Sequence, residues 1–133
     1  MYIEIFVDGA SRGNPGEAGA GVVILDSEGN VIKKTSRYLG VTTNNVAEYN
    51  ALIIALQEAV NCNGKRLKIY SDSELMVKQI KGEYRVRNTN LRGFYQKALR
   101  LLREFEDHDI IHIKRKFNKE ADSLANKAID ELS

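Results

Sequence analysis

Four acidic residues occupy positions where the surrounding sequence is apolar: Asp8, Glu48, Asp72 and Asp122. Asp8 follows the strand-like run 2–7, and Asp72 follows a second such run at 67–71. A carboxylate removed from water is unfavourable unless a partner or a cation compensates its charge. If the two strands are parallel neighbours, their carboxyl ends bring Asp8 and Asp72 together at one sheet edge. The repulsion between them favours a hard divalent cation such as Mg²⁺.

The elements that would position these acids alternate between strands and helices. Hydrophobic periodicity and turn residues predict strands at 2–8, 18–25, 31–39, 67–71 and 109–113. They predict helices from Asn44 or Asn45, as the cap, to about residue 60, then at 73–80, at 90–105 and from Asn118 onward. This order predicts the α/β class, with one mixed sheet and helices packed on its faces.

Helical spacing places the other two acids next to apolar faces. Glu48 precedes Leu52 by four residues and Ala55 by seven, so it projects from the apolar stripe of its helix. Asp122 lies in the first turn of the last helix, beside the face formed by Ala121 and its neighbours. All four carboxylates could therefore meet at one edge of the sheet.

The composition limits the classes of protein to be considered. With 133 residues the chain is predicted to form a single domain, 1–133. Its one cysteine, Cys62, allows no internal disulfide and favours a reducing, cytoplasmic location. The sequence has no stretch long and apolar enough for a membrane span, and it starts with a strand rather than a signal segment, so we expect no membrane association. Two histidines and one cysteine also disfavour zinc and Ser-His-Asp chemistry.

Positive charge is concentrated in one segment. Between residues 78 and 103 the sequence contains eight basic residues and one acidic residue, although the whole chain has a net charge of only +2. Tyr84, Phe94 and Tyr95 lie among these charges. Such a segment is typical of a solvated helix face, but it is also compatible with contact to a polyanion.

Four sequence blocks together resemble the signature blocks of type 1 ribonuclease H. The blocks are Asp8-Gly9-Ala10-Ser11-Arg12-Gly13-Asn14-Pro15-Gly16, Thr42-Thr43-Asn44-Asn45-Val46-Ala47-Glu48, Ser71-Asp72-Ser73, and Asn118 with Ala121-Asp122 and Leu124-Ala125. They occur in the order and spacing of that family, across essentially the whole chain. The resemblance implies a ribonuclease H-like fold with a five-stranded mixed sheet, order 3-2-1-4-5, strand two antiparallel, flanked by helices.

The same resemblance implies an activity and a cofactor. It implies an endoribonuclease that hydrolyses the RNA strand of RNA–DNA hybrids and leaves 5′-phosphate and 3′-hydroxyl ends. Asp8, Glu48, Asp72 and Asp122 match the metal-binding catalytic carboxylates of the family. They would hold two Mg²⁺ ions, which Mn²⁺ could replace, on either side of the scissile phosphate.

Substrate contacts are also implied by the resemblance. The family's contacts to ribose 2′-hydroxyls and phosphates fall on Gly9, Ala10, Ser11, Arg12, Gly13, Asn14, Thr43, Asn44, Asn45, Asn88 and Arg115. Within this set, Thr43 and Asn88 would hold a phosphate of the DNA strand. Hybrid recognition by sugars and shape is expected because the base edges of an A-like duplex are poorly accessible.

Three departures from the family pattern bear on substrate choice. The segment 81–90 is too short for the basic protrusion of many relatives, which makes this chain resemble the compact, archaeal-type members. Arg115 stands in the loop where many relatives carry a histidine, and arginine cannot act as a base at ordinary pH. Glu74 stands where a glutamine is common.

These departures leave two alternatives open. One is a non-catalytic hybrid- or RNA-binding module, which the presence of all four acids disfavours. The other is a nuclease of the same superfamily that also cuts double-stranded RNA. We further expect a monomer, because Lys33, Lys34 and Arg37 place charge on the exposed edge of the third strand.

Overall fold

The computed structural model describes residues 1–132. The strands are β1 (Tyr2–Ser11), β2 (Gly16–Leu25), β3 (Val31–Thr42), β4 (Arg66–Ser71) and β5 (Asp107–His112). The α-helices are α1 (Asn44–Asn61), α2 (Glu74–Ile80), α3 (Thr89–Leu102) and α4 (Lys119–Asp130), and a 3-10 turn, Arg115–Phe117, precedes α4. The predicted order of elements is confirmed.

The five strands form one mixed sheet with the order β3-β2-β1-β4-β5. β2 runs antiparallel to both of its neighbours, whereas β1, β4 and β5 are parallel. The register pairs Val7 with Ser71. Asp72 therefore directly follows the end of β4, and Asp8 lies at the same level on the neighbouring strand. β1 does not end at Asp8 as predicted but continues to Ser11, because this part pairs with β2.

Helices cover the sheet on both faces. The buried side of α1 contains Ala51, Leu52, Ala55, Leu56 and Ala59, as the sequence pattern predicts, and it packs on Ile3, Ile5 and Val7. α3 packs on α1. α4 lies on the opposite face, against β2, and there glycine is required: a Cβ on Gly21 would meet the Ala121 carbonyl oxygen at 2.0 Å.

Helix and strand ends differ from the sequence-based expectations at a few positions. The N-cap of α1 is Thr43, whose side chain accepts from the Val46 N–H, and not Asn44 or Asn45. β3 continues to Thr42 because it pairs with the extended start of β2. α3 ends at Leu102, three residues earlier than expected. Such ends depend on partners distant in sequence, which local patterns do not contain.

Among residues 1–132, no helix combines the length and the hydropathy needed to cross a membrane.

Candidate active site

Three of the predicted carboxylates converge at one edge of the sheet. Oxygens of Asp8, Glu48 and Asp72 all lie within 4.8 Å of one another. Asp8 and Glu48 are each only 4% exposed, and Asp72 is half-buried. The juxtaposition of Asp8 and Asp72 expected from parallel strands is therefore present, and Glu48 joins them from α1.

The close packing of α1 on β1 positions Glu48. A Cβ on Gly9 would meet the Ala47 carbonyl oxygen at 2.1 Å, so only glycine lets the first turn of α1 approach the strand this closely. The Gly9 N–H in turn donates a 2.7 Å hydrogen bond to Glu48 Oε1. This bond fixes one oxygen of Glu48 and leaves the other for a further partner.

Asp122 lies on the far side of the same cleft. It is outside the group of three but interacts electrostatically with Asp8. Its helix is attached to β1 by Asn118, whose buried Nδ2 donates to the Val7 carbonyl at 2.8 Å. Arg115 Nη2 lies 3.5 Å from Asp122 Oδ1, so it supplies a positive group at the cleft entrance.

Burial and like charge make this cluster electrostatically unfavourable by itself. Burial, together with the charges of Glu48 and Asp72, raises the pKa of Asp8 far above its ordinary value. Burial also raises the pKa of Glu48, although the Gly9 hydrogen bond partly opposes the shift. Both carboxyls therefore resist ionisation unless a cation compensates them.

The arrangement suits a hard divalent cation. Carboxylate oxygens are the donors that such ions prefer, and three of them already converge. The carboxylates line an open cleft of about 360 Å³ with Gly9, Ala10, Asn44, Ser73, Glu74, Leu75 and Arg115. An ion held there would keep space on its outer side for a substrate.

The other predicted contact residues lie around the cleft or beside it. Ser11 Oγ donates to the Thr42 carbonyl at 2.8 Å, and Asn14 Oδ1 accepts from the Asn44 N–H at 3.1 Å. These bonds attach the 11–16 turn to the end of β3 and to the start of α1. Arg12 forms a 2.6 Å ion pair with Asp130, so its side chain is engaged with α4, and a substrate contact at this position stays a prediction for the turn backbone.

Thr43 and Asn88 meet in a second concave site. Both line a pocket of about 400 Å³ next to the turn, with Pro15, Thr42, Val46, Asn90 and Phe94. Each side chain also caps a helix, Thr43 for α1 and Asn88 for α3. The pocket brings together the two residues expected to share a phosphate.

Sequence reasoning missed some of the residues that build these sites. Asn118 was expected only as a helix cap, yet its side chain makes no capping bond and instead ties α4 to β1. Val46, Asn90 and Phe94 were not expected at the second pocket. No local signal identifies them, because they come from two helices that are separate in sequence.

The sheet order and the carboxylate cleft define the class of nucleases and related domains with a ribonuclease H-like fold. A family model described as Reverse transcriptase-like matches residues 6–128. Ribonuclease HI of Halobacterium salinarum is 39% identical over 129 residues, which are 97% of this chain and 65% of that protein. The ribonuclease H of Chlorobaculum parvum is 33% identical over 150 residues, covering 98% and 97% of the two chains. The chain belongs to the ribonuclease H family.

Solved structures agree with this assignment. RNase H1 from Halobacterium salinarum superposes with a TM-score of 0.96 at 38% identity, covering 98% of this chain and 99% of that one. LC11-RNase H1, solved in complex with an RNA/DNA hybrid, gives a TM-score of 0.92 at 43% identity, with coverage of 98% and 99%. The predicted family and the predicted fold are therefore confirmed.

The chain is shorter than some of its relatives. It spans 65% of the Halobacterium salinarum protein and 36% of the bifunctional protein Rv2228c of Mycobacterium tuberculosis, to which it is 37% identical. In this chain only residues 81–88 separate α2 from α3, which agrees with the compact, archaeal type.

Proposed function

We propose that this protein is an endoribonuclease that hydrolyses the RNA strand of RNA–DNA hybrids, giving 5′-phosphate and 3′-hydroxyl ends. The observation that carries the proposal is the convergence of Asp8, Glu48 and Asp72 within 4.8 Å, beside Asp122, in an open cleft. The hybrid bound to LC11-RNase H1 supports the choice of substrate.

The four carboxylates would hold two divalent ions, Mg²⁺ by preference and Mn²⁺ as a substitute. When bound, such ions activate a water molecule and neutralise charge on the scissile phosphate and the departing 3′-oxygen. The chain itself holds the carboxylates in place: Gly9 fixes Glu48, and Asn118 fixes the start of α4 beside Asp8. We assign Arg115 to phosphate positioning, since a guanidinium offers hydrogen-bond donors and no acceptor.

Recognition of the hybrid would use both strands. Gly9, Ala10, Ser11, Gly13 and Asn14, with Asn44 and Asn45, lie on or beside the turn and the start of α1, next to the cleft. We propose that they contact the 2′-hydroxyls of the RNA strand. The pocket formed by Thr43 and Asn88 would hold a phosphate of the DNA strand. The protein would then contact the RNA strand and the DNA strand of the hybrid at the same time.

An end-labelled RNA–DNA hybrid, incubated with Mg²⁺, with Mn²⁺ or with chelator, tests the proposal. We expect metal-dependent cleavage of the RNA strand alone. Asp72→Asn should lower the rate by on the order of 10³ or more, because the metal contributes several kcal/mol to the barrier. Asp109→Asn, which changes an exposed carboxylate on β5, is the matched control and should cleave normally.

The same assay separates the alternatives. A binding module would retain the hybrid but cleave nothing with either metal. Cleavage of double-stranded RNA at a rate comparable to that of the hybrid would extend the substrate class; Glu74, which lines the cleft, is the residue that favours testing this.

We further infer that residues 1–133 act as one domain and as a monomer. Within residues 1–132, one cluster of buried side chains joins β1, β2, β4 and β5 with α1, α2 and α3, and the partly buried Leu39 of β3 packs against it. The cytoplasmic location stays a prediction from the sequence.

A further inference from the structure

Helix α3 and the segment before it carry positive charge without compensation. Between residues 85 and 103 there are six basic residues and no acidic one: Arg85, Arg87, Arg92, Lys97, Arg100 and Arg103. All six are exposed, and none of them forms an ion pair within residues 1–132. By contrast, α2 contains the pair Glu74–Lys78, and Lys127 at the end of α4 pairs with Glu131. α3 therefore differs from an ordinary solvated helix of this protein.

Four polar side chains of α3 share one side of the helix. Arg92, Gln96, Arg100 and Arg103 follow one another at intervals of four, four and three residues. Residues at these intervals are neighbours on a helix surface. An interval of four residues corresponds to about 6 Å along the helix axis, which is similar to the spacing of phosphates along an extended single strand.

Two adjoining concave regions lie along this row of side chains and together form a shallow groove. One concave region of about 340 Å³ is lined by Gly82, Tyr84, Arg85, Val86, Arg92, Tyr95 and Gln96. A second, of about 200 Å³, is lined by Gln96, Leu99, Arg100 and Arg103, so the two regions share Gln96. None of these residues lines the acidic cleft. Tyr84 is 45% exposed and lies at one end of the groove, where Lys78 Nζ is 4.9 Å from the centroid of its ring.

We propose that this groove, the α3 groove, binds single-stranded nucleic acid. Arg92, Arg100 and Arg103 contact successive phosphates, and Tyr84 stacks on a base. A row of cations with an adjacent aromatic ring is the general means by which proteins hold single strands without reading their sequence. The site is separate from the cleft and is not required for cleavage.

The position of the groove indicates which strand it would receive. Asn88 and Asn90, which line the proposed DNA-phosphate pocket, lie at the start of α3, four and two residues before Arg92. A DNA strand that continues beyond the hybrid would thus pass from this pocket into the α3 groove. This step rests on the proposed function, whereas single-strand binding itself does not.

Fluorescence anisotropy with a labelled oligo-dT of about fifteen nucleotides, in chelator and about 50 mM salt, tests the proposal. Arg100→Glu/Arg103→Glu should weaken oligo-dT binding at least roughly tenfold and reduce the salt slope by about 1.4, since each single-strand phosphate contact contributes about 0.7. Binding of a short blunt hybrid should change less than about twofold. The oligo-dT affinity of Arg100→Gln/Arg103→Gln should lie between that of the wild type and that of the charge-reversal variant.

Arg37→Glu/Arg66→Glu is the matched control. It changes the net charge by the same amount. Arg37 lies on the edge strand β3, far from α3. Arg66 precedes the buried Leu67 on β4, so its side chain points to the sheet face opposite α1 and α3. This control should bind oligo-dT like the wild type. Equal weakening by both charge reversals would overturn the proposal, as would oligoglutamate competing as well as oligo-dT. Parallel loss of oligo-dT and hybrid binding would also overturn it, because one shared site would then be in use. Cleavage of the blunt hybrid in Mg²⁺ is measured separately, so a failure of the proposed nuclease function can be told apart from a failure of single-strand binding.

Discussion

At the scale of single residues, the carboxylate cluster is a feature that works against stability. Asp8 and Glu48 are almost completely buried within 4.8 Å of Asp72. Without a cation, the folded protein must either keep protons on these groups or accept buried like charges. The arrangement suits the binding of a divalent ion better than it suits packing.

This arrangement predicts a pH-dependent stability. In the folded state the pKa of Asp8 and of Glu48 is raised. Below about pH 4, the ordinary carboxyl pKa, folded and unfolded chains both hold the protons; above it the unfolded chain releases them more readily. The free energy of unfolding should therefore fall as pH rises above 4. Asp8→Asn should reduce this slope and stabilise the metal-free protein by about 1–2 kcal/mol at pH 8.

Thermal unfolding in chelator between pH 5 and pH 9 measures this effect. Mg²⁺ should raise the Tm of the wild type and have less effect on Asp8→Asn. Asp109→Asn serves as the control, because that carboxylate is exposed. Identical pH slopes for the wild type and Asp8→Asn would contradict the prediction.

Arg115 offers a second test at this scale. Its side chain is 78% exposed and lies 3.5 Å from Asp122, which suits contact with a phosphate in the cleft. Arg115→Ala should lower kcat/KM roughly tenfold to a hundredfold, the value of one charge-assisted hydrogen bond. The kcat/KM of Arg115→Lys should lie between those of the wild type and Arg115→Ala, since lysine keeps the charge but cannot form the two parallel hydrogen bonds of a guanidinium. The pH–rate profile should keep its shape, whereas a change of shape would indicate proton transfer by Arg115. Lys116→Ala is the control.

At the scale of elements, small residues on the strands set how closely the helices approach. Gly9 admits α1 and Gly21 admits α4, each in contact with a helix carbonyl. Because Glu48 directly follows the first turn of α1 and Asp122 lies in the first turn of α4, the glycines also determine where the carboxylates lie. Helix–sheet distance and site geometry are thus linked.

Gly21→Ala tests whether the distance between α4 and the sheet controls the geometry of the carboxylate site, apart from the general effect of replacing a glycine. The added Cβ would meet the Ala121 carbonyl at 2.0 Å, so α4 must shift, lowering the free energy of unfolding by about 1–3 kcal/mol. Cleavage should fall further than the loss of folded protein explains, because Asp122 moves with α4. Gly93→Ala is the matched control: it lies inside α3 with open space around it, and should stabilise by about 0.5–1 kcal/mol. Unaltered activity in folded Gly21→Ala would refute the link.

At the scale of the whole molecule, the two sheet edges and the distribution of charge determine what the protein can associate with. β3 is a twelve-residue edge strand, and Val31, Ile32 and Val41 on it are exposed. Lys33 and Lys34, which pair with Glu58 and Glu120, add charge along this edge. Charged edges oppose pairing with a second copy.

Removal of these charges should therefore promote association. We expect the wild type to be monomeric by light scattering, and Lys33→Val/Lys34→Val to form dimers or larger species as concentration rises. Lys114→Val/Lys119→Val, which removes two exposed lysines outside the strands, should stay monomeric. A dimeric wild type would contradict the expectation.

Much of this protein was determined by its sequence alone. Period-two and helical patterns identified all nine main elements, because burial on one face of a strand or helix leaves a local signature. The unusual positions of Asp8, Glu48 and Asp72 predicted the carboxylate cluster, because a buried carboxylate is unfavourable without a compensating role.

The tertiary structure decided what depends on contacts between distant segments. The Asn118–Val7 bond, the pocket shared by Thr43 and Asn88, and the ion pair that turns Arg12 toward Asp130 each join residues more than forty positions apart. The α3 groove likewise exists only because packing places the basic residues of α3 beside the loop that contains Tyr84. Local sequence encodes which face of an element is buried, whereas distances between elements arise only when the chain packs.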